Sequence, residues 1–175
     1  MPKNWCVTTL KDIFRINPRN RADDDLIAGF VPMTKIAEGF NNQFSFEEKA
    51  WRKIKTGFTH FQNGDVVVAK ISPCLENRKS VVINNLPNGI GAGTTELHVF
   101  RSEVVNPLFA LYFFKTQYFI NQCTSTFNGV VGQQRVGKNI IENITFFLPS
   151  MKEQQRITSK IREILSNLDK ISEAF

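Results

Sequence analysis

The chain has 175 residues, 42% of them hydrophobic and 22% charged, with a net charge of +6 and a pI near 9.4. Such a length fits one domain with an appended element, and the composition excludes a disordered chain. No stretch approaches 18 apolar residues and the segment MPKNWCVTTL has no apolar core, so neither a membrane span nor a signal peptide is expected.

The positive excess is spread over residues 1–150, which suggests a basic surface on a fold and favours a polyanionic partner. Cys6, Cys74 and Cys123 are odd in number and far apart without a C-x-x-C pair, so no zinc site or disulfide framework is indicated and a reducing cytoplasm is expected. Sixteen phenylalanines against two tyrosines and two tryptophans read as core filling.

In chain order, Trp5 to Ile16 reads as a short structured lead-in. The turn-forming basic patch Asn17-Pro18-Arg19-Asn20-Arg21 follows, and then the acidic run Asp23-Asp24-Asp25. Residues 29–36 read as an extended segment, with Pro32 arguing for a sheet edge. Glu47-Glu48-Lys49 reads as a solvated charged stretch. Asn63-Gly64-Asp65 is a turn signal, and the β-branched run Val66 to Ile71 behind it predicts a strand. Ser80 to Ile83 and Thr95 to Phe100 predict further short strands. Asn106 as N-cap with Pro107 at the first helical position predicts a helix to about Ile120. Ile144 to Leu148 predicts a last strand.

The tail differs in kind. Ser150 and Glu153 have capping-box spacing, and Ile157, Ile161, Ile164, Leu168, Ile171 and Phe175 recur at alternating spacings of 4 and 3. That is a heptad seam, predicting a long helix that packs on a second copy, on another subunit or in a coiled coil; the rival arrangement folds it back on its own domain. The expected organisation is a mixed α/β (α+β) domain over 1–149 and a spacer or dimerisation helix over 150–175.

Enzyme signatures are scarce. Gly89, Gly91 and Gly93 form a G-x-G-x-G without a βαβ context or a P-loop Gly-Lys-Ser/Thr, which reads as a flexible turn permitting a close backbone approach. His60 and His98 lack metal-ligand spacing and read as structural. No catalytic triad, nucleophile elbow or Pro-Asp…E-x-K nuclease pattern is present, so no catalytic residue, metal or cofactor is assigned to the chain. What remains are polar, basic loops joined to strands. The loop Lys70 to Lys79 carries Lys70, Ser72, Glu76, Asn77, Arg78 and Lys79, and the Gly-rich loop Asn128 to Gly137 carries Gln133, Gln134 and Arg135. Gln can pair with adenine, Arg with guanine, and Glu can accept from cytosine, while lysines suit phosphates.

At these loops the sequence resembles a known family. Residues 51–59 (WRKIKTGFT) with 61–77 (FQNGDVVVAKISPCLEN), then 91–101 (GAGTTELHVFR), 129–136 (GVVGQQRV) and 148–157 (LPSMKEQQRI), resemble in order the blocks of type I restriction–modification specificity-subunit recognition domains. The resemblance implies a subunit reading double-stranded DNA at a bipartite target, one recognition domain per half-site, with long helices as spacer. It implies two methyltransferase (modification) subunits as partners, carrying S-adenosylmethionine, and restriction subunits joining them, with ATP and Mg also confined to partners. The residues expected at DNA are Arg19, Arg21, Lys70, Ser72, Asn77, Arg78, Lys79, Thr94, Gln133, Gln134, Arg135 and Lys138. Those expected at a subunit interface are Ile157, Ile161, Ile164, Leu168 and Ile171. A complete subunit of that family has two recognition domains and two helices where this chain has one of each. It is therefore expected to be a half-subunit that dimerises on a palindromic target, or a piece of a longer chain. The rival readings are a fragment of a fused restriction–methylation enzyme and a helical protein–protein adaptor.

Overall fold

The computed structural model describes residues 4–125, 127 and 134–173. Ten strands and five helices follow in chain order: β1 (Cys6–Thr9), α1 (Leu10–Ile13), β2 (Arg15–Ile16), β3 (Ile27–Val31), β4 (Glu47–Ala50), β5 (Thr59–Gln62), β6 (Val66–Ala69), β7 (Ser80–Val82), β8 (Ile90–Gly93), β9 (Leu97–Arg101), α2 (Pro107–Phe114), α3 (Gln117–Thr124), α4 (Lys138–Glu142), β10 (Thr145–Leu148) and α5 (Met151–Glu173). They build an antiparallel sheet in the order β2-β9-β6-β7, a mixed sheet in the order β4-β3-β8-β5, and a ribbon of β1 with β10.

The β-branched run of β6 explains the layering. Successive side chains of a strand point to opposite faces, and here Val66 and Val68 enter one core while Val67 enters another. The first core lies between the antiparallel sheet and the helices. It contains Phe14, Phe100, Phe109, Phe114, Phe119 and Phe146, whose rings meet one another or Phe113 edge-on or tilted at 4.3–5.9 Å. This cluster accounts for much of the phenylalanine bias, because interlocking rings contribute beyond their buried area. The second core joins the two sheets through Val31, Phe61, Val67, Val81, Leu97 and Val99. A small third core, Ala28, Trp51, Ile54 and Ala92, covers the far face of the mixed sheet.

Three sequence expectations are corrected and one, the solvated stretch at Glu47, is extended to a strand. Segment 29–36 does not lie at an edge: β3 sits between β4 and β8, and Pro32 falls just beyond its last residue, where no ladder donor is needed. Glu47 to Lys49 lie in β4, an exposed edge strand whose charged side chains suit that position. The glycine run 89–93 is not a free turn, since Gly91 and Gly93 lie in β8. A Cβ there would stand 2.3 Å from the Gly29 carbonyl oxygen and 2.7 Å from that of Val31, so the close approach is to the neighbouring strand β3. The helix expected from Pro107 to about Ile120 is two helices, because Thr116 caps a new one by accepting from the Phe119 N–H at 3.2 Å.

The tail forms one helix, about 35 Å long at 1.5 Å per residue. Its first turns fold back on the domain. Ile157 packs on the first core, Ile161 lines an apolar groove with Phe40, Phe109, Tyr112, Phe113 and Thr116, and Thr158 is buried. Gln154 is buried too. It accepts from the Asn106 N–H at 2.7 Å and donates to the Pro149 carbonyl at 3.0 Å. Ile157 and Ile161 thus find apolar partners within the chain while each stays partly exposed. Ile164, Leu168 and Ile171 remain 49%, 55% and 56% exposed. Phe175 lies outside the described residues.

Candidate nucleic-acid interface

Strand register brings the nominated loops to one end of the molecule. The C-terminal ends of β3, β6 and β8 and the N-terminal ends of β5 and β9 coincide there, since Val31 and Thr59 both pair with Gly93, and Ala69 with Leu97. The loop after β6 and the segment before α4 then join directly. Ser72 N–H donates to the Gln134 carbonyl at 2.9 Å, Val136 N–H to the Lys70 carbonyl at 2.9 Å, and Ile71 and Arg135 form an antiparallel bridge. The segment before β9 completes the platform: Lys70 N–H donates to the Glu96 carbonyl at 2.9 Å, and Arg135 Nε donates to Glu96 Oε2 at 2.8 Å. Three stretches separated by dozens of residues are therefore held by main-chain bonds, which position side chains more firmly than solvated loops can.

Each nominated residue has a definite place. Arg135 is exposed, and Lys138, also exposed, lies 3.2 Å from Glu142 one turn along α4. Lys70 is half-buried. Thr94 uses Oγ1 to accept from the Glu96 N–H at 3.1 Å, and Ser72 Oγ donates to Glu76 Oε1 at 2.7 Å. Asn77 and Lys79 both approach Glu38 Oε1, at 3.3 and 3.6 Å, and the Lys79 side chain is only 15% exposed. Arg78 lies in the left-handed region at φ 59 and donates from Nε to the Lys115 carbonyl and from Nη2 to Gln117 Oε1, each at 3.0 Å. Arg19 donates to the Phe58 carbonyl at 3.0 Å and contacts His60, so its guanidinium braces β5; Arg21 is exposed. Gln134 is half-buried. Gln133 lies outside the described residues.

The two histidines serve the frame. His60 Nε2 lies 3.0 Å from the Lys55 carbonyl, and Nδ1 accepts from the Asn20 N–H at 3.2 Å. His98 is buried between Asn17 and the Val136 carbonyl, and burial with the nearby charges of Lys70 and Lys138 pushes its imidazole down to about 4. Two nominated lysines therefore act on one imidazole from different loops. Among the described residues no three His, Cys, Asp or Glu side chains come together in a way that could hold a metal ion, and no helix is long and apolar enough to cross a membrane.

Sequence reasoning missed Glu96, Asn17 and Lys115. Glu96 stands in the Thr-Thr-Glu-Leu block before β9, yet its pairing with Arg135 crosses 39 residues. Lys115 closes the apolar run Pro107–Phe114, and a lysine ending such a run is a local sign of a helix C-terminus.

The architecture is a two-sheet platform with polar loops gathered at one end and a helix leaving its flank. A sequence model of the type I restriction modification DNA specificity domain matches residues 2–174. The chain belongs to that family. It is 40% identical over 176 residues to the type I restriction enzyme EcoAI specificity subunit of Escherichia coli and 36% identical over 176 residues to the EcoEI specificity subunit of the same organism. Both alignments cover 99% of this chain and 30% of the relative, so the chain spans under a third of their length. In fold it is similar to the HsdS subunit of Thermoanaerobacter tengcongensis, with a TM-score of 0.81 at 19% identity, covering 99% of this chain and 45% of that one.

Proposed function

We propose that this chain reads one half of a bipartite double-stranded DNA target as a recognition domain of a type I specificity subunit. The observation that carries this is the main-chain fusion of the 70–79, 94–96 and 134–138 segments at one end of the molecule, with Arg135 and Lys138 exposed on it. In this reading Lys70 and Lys138 hold phosphates, Lys79, largely covered and beside Glu38, steadies the loop stem, and Arg135 with Gln134 or Gln133 meets base edges. The chain contributes no chemistry; S-adenosylmethionine, ATP and Mg belong to the methyltransferase and restriction subunits.

Two substitutions separate holding from reading. Lys138→Ala is expected to weaken cognate and scrambled duplexes alike and to reduce the slope of log K against log salt by about 1. Arg135→Ala is expected to cost roughly 1–3 kcal/mol on the cognate duplex and much less on the scrambled one. Titrations across a salt series decide. Equal weakening of both duplexes by Arg135→Ala would remove it from base reading.

The distal part of α5 is the subunit interface in the same reading. Burying Ile164, Leu168 and Ile171 stabilises by roughly 1.5–3 kcal/mol per side chain, a strong incentive for a helical partner on a second copy or a methyltransferase subunit. Ile164→Asp places a charge in that seam, which is costly unless paired. Sedimentation of the variant should show a smaller assembly with the domain still folded. An unchanged assembly mass sinks the interface.

A further inference from the structure

Lys115 caps α2 with a side chain that is 0% exposed. Its ammonium donates to three main-chain carbonyls, those of Gly39 at 2.7 Å, Arg78 at 2.9 Å and Ser80 at 2.9 Å. These acceptors are neutral. A cation withdrawn from water into such a setting is costly, and well-packed apolar side chains of similar volume often serve stability as well or better. Burial, reinforced by the like charge of Arg78, accordingly pushes the ammonium down to about 8.

The acceptors lie on two separate segments. Gly39 belongs to the turn between β3 and β4, and Arg78 and Ser80 lie where the 70–79 loop returns to β7. Other bonds close the same ring: Gly39 N–H donates to the Asn77 carbonyl at 2.9 Å, and Arg78 Nε returns to the Lys115 carbonyl at 3.0 Å. The near end of that loop is clamped by Ser72 on Gln134. Its far end is clamped by Lys115, whose three donors converge from one tetrahedral nitrogen, a geometry that neither methionine nor the planar fork of arginine reproduces.

We propose that Lys115 is a positioning residue for DNA discrimination that does not itself touch DNA: it fixes the outgoing stem of the 70–79 loop against residues 38–39, so that the loop and the Arg135 segment bonded to it meet the duplex in one register. The inference rests on the DNA-reading function proposed above. Phosphate contacts tolerate small displacements because they act through charge, whereas base-edge hydrogen bonds do not. Loss of the clamp therefore lowers specificity and spares general affinity.

The test uses a duplex selected by the wild-type chain from a randomised pool and a scrambled duplex of equal length. Lys115→Met is expected to reduce the cognate-to-scrambled affinity ratio at least tenfold, with scrambled binding within about twofold of wild type. Phe146→Leu, on the core-facing side of β10, serves as a destabilised control that keeps the ratio. A second measurement needs no substitution. Raising the pH from 7 to 9 takes a proton from Lys115, leaving two N–H donors for three carbonyls, so the wild-type ratio is expected to fall. Arg78 lies against Lys115 and Glu38 and Lys79 lie on the joined segments, and these remain in Lys115→Met, whose ratio is expected to stay flat with pH. An unchanged ratio in Lys115→Met, or an equal loss in Phe146→Leu, overturns the proposal. Should Lys115→Met not fold, Lys115→Arg takes its place, since the planar fork keeps the charge without the three-point geometry, and an unchanged ratio there overturns the proposal. A wild-type chain that selects no duplex overturns instead the DNA reading on which it rests.

Discussion

Asp65→Ala is expected to lower the unfolding free energy by about 3–5 kcal/mol, the range for removing one partner of a buried ion pair. The Asp65 side chain is 1% exposed and that of Arg101 is 18% exposed. The pair is forked, with Arg101 Nε to Oδ1 and Nη2 to Oδ2 both at 2.8 Å, and Oδ2 also accepts the Gln62 N–H at 2.7 Å. Asp65 occupies the turn where the chain leaves β5 in one sheet for β6 in the other, and Arg101 Nη2 reaches on to Asn20 Oδ1 at 3.0 Å. One carboxylate thus ties both sheets and the Asn17–Arg21 turn. Alanine would leave a guanidinium withdrawn from water with a single neutral acceptor, and the Gln62 N–H without its partner. Urea unfolding measures the loss, and the double variant Asp65→Ala/Arg101→Met should recover part of it, because the uncompensated charge is then gone. A loss below about 1 kcal/mol would mean that water enters the site and screens the pair.

The same turn shows why some elements were legible in the sequence. Asn63-Gly64-Asp65 needs a residue with positive φ at Gly64, found at 92°, and the valine run after it packs on both faces, so turn and strand are written in neighbouring residues. The start of α2 was equally local: Asn106 Oδ1 accepts from the N–H groups of Leu108 and Phe109 at 3.0 and 3.2 Å. β8 was not legible, since glycine weakens a strand and is present only because β3 approaches too closely for any side chain. Periodicity located the seam of α5 but not its partners. Ile161 meets apolar residues more than 40 positions earlier, a contact that no local spacing encodes. The loops of the candidate interface were recognisable by composition and by family resemblance. Their convergence was not, because it depends on ladder register and on bonds such as Ser72 to Gln134 across 62 residues. Lys115 hid for the same reason, its acceptors lying 35 to 76 residues away.

The second large effect is acid sensitivity centred on His98. Its Nε2 faces the Val136 carbonyl at 3.0 Å, and a carbonyl only accepts, so Nε2 carries the proton. Nδ1 faces Asn17 Nδ2 at 3.2 Å, and Asn17 Oδ1 is engaged by the Val99 N–H at 2.9 Å, so the amide donates and Nδ1 accepts. Protonating the ring sets Nδ1–H against that donor, in a buried site already under the charges of Lys70 and Lys138. The folded imidazole titrates near 4 and the unfolded one near 6.5. Between those values the unfolded chain binds the extra proton, so the contribution is intact above pH 6.5 and is lost progressively as the pH falls towards 4. At pH 4.5 the loss relative to pH 7 is about 2.5 kcal/mol, from about 1.4 kcal/mol per pKa unit. Asp12, Glu47 and Glu153, held below the usual carboxylate range by hydrogen bonds from Thr9, Lys49 and Arg156, push in the same direction on acidification. They are common to wild type and His98→Gln, so the difference between the two proteins isolates the histidine. Unfolding free energies of the two proteins from urea titrations at pH 7 and 4.5 should converge by roughly that amount, with His98→Gln the less stable at pH 7 and the less acid-sensitive. Equal acid losses in both would mean that the ring is solvated or protonates in place. Protonation leaves the Nε2–H bond to the Val136 carbonyl in place and repels the Asn17 amide, so the loss falls on the Asn17–Val99 contact at β9 and not on the bridge between the 70–79 and 134–138 segments.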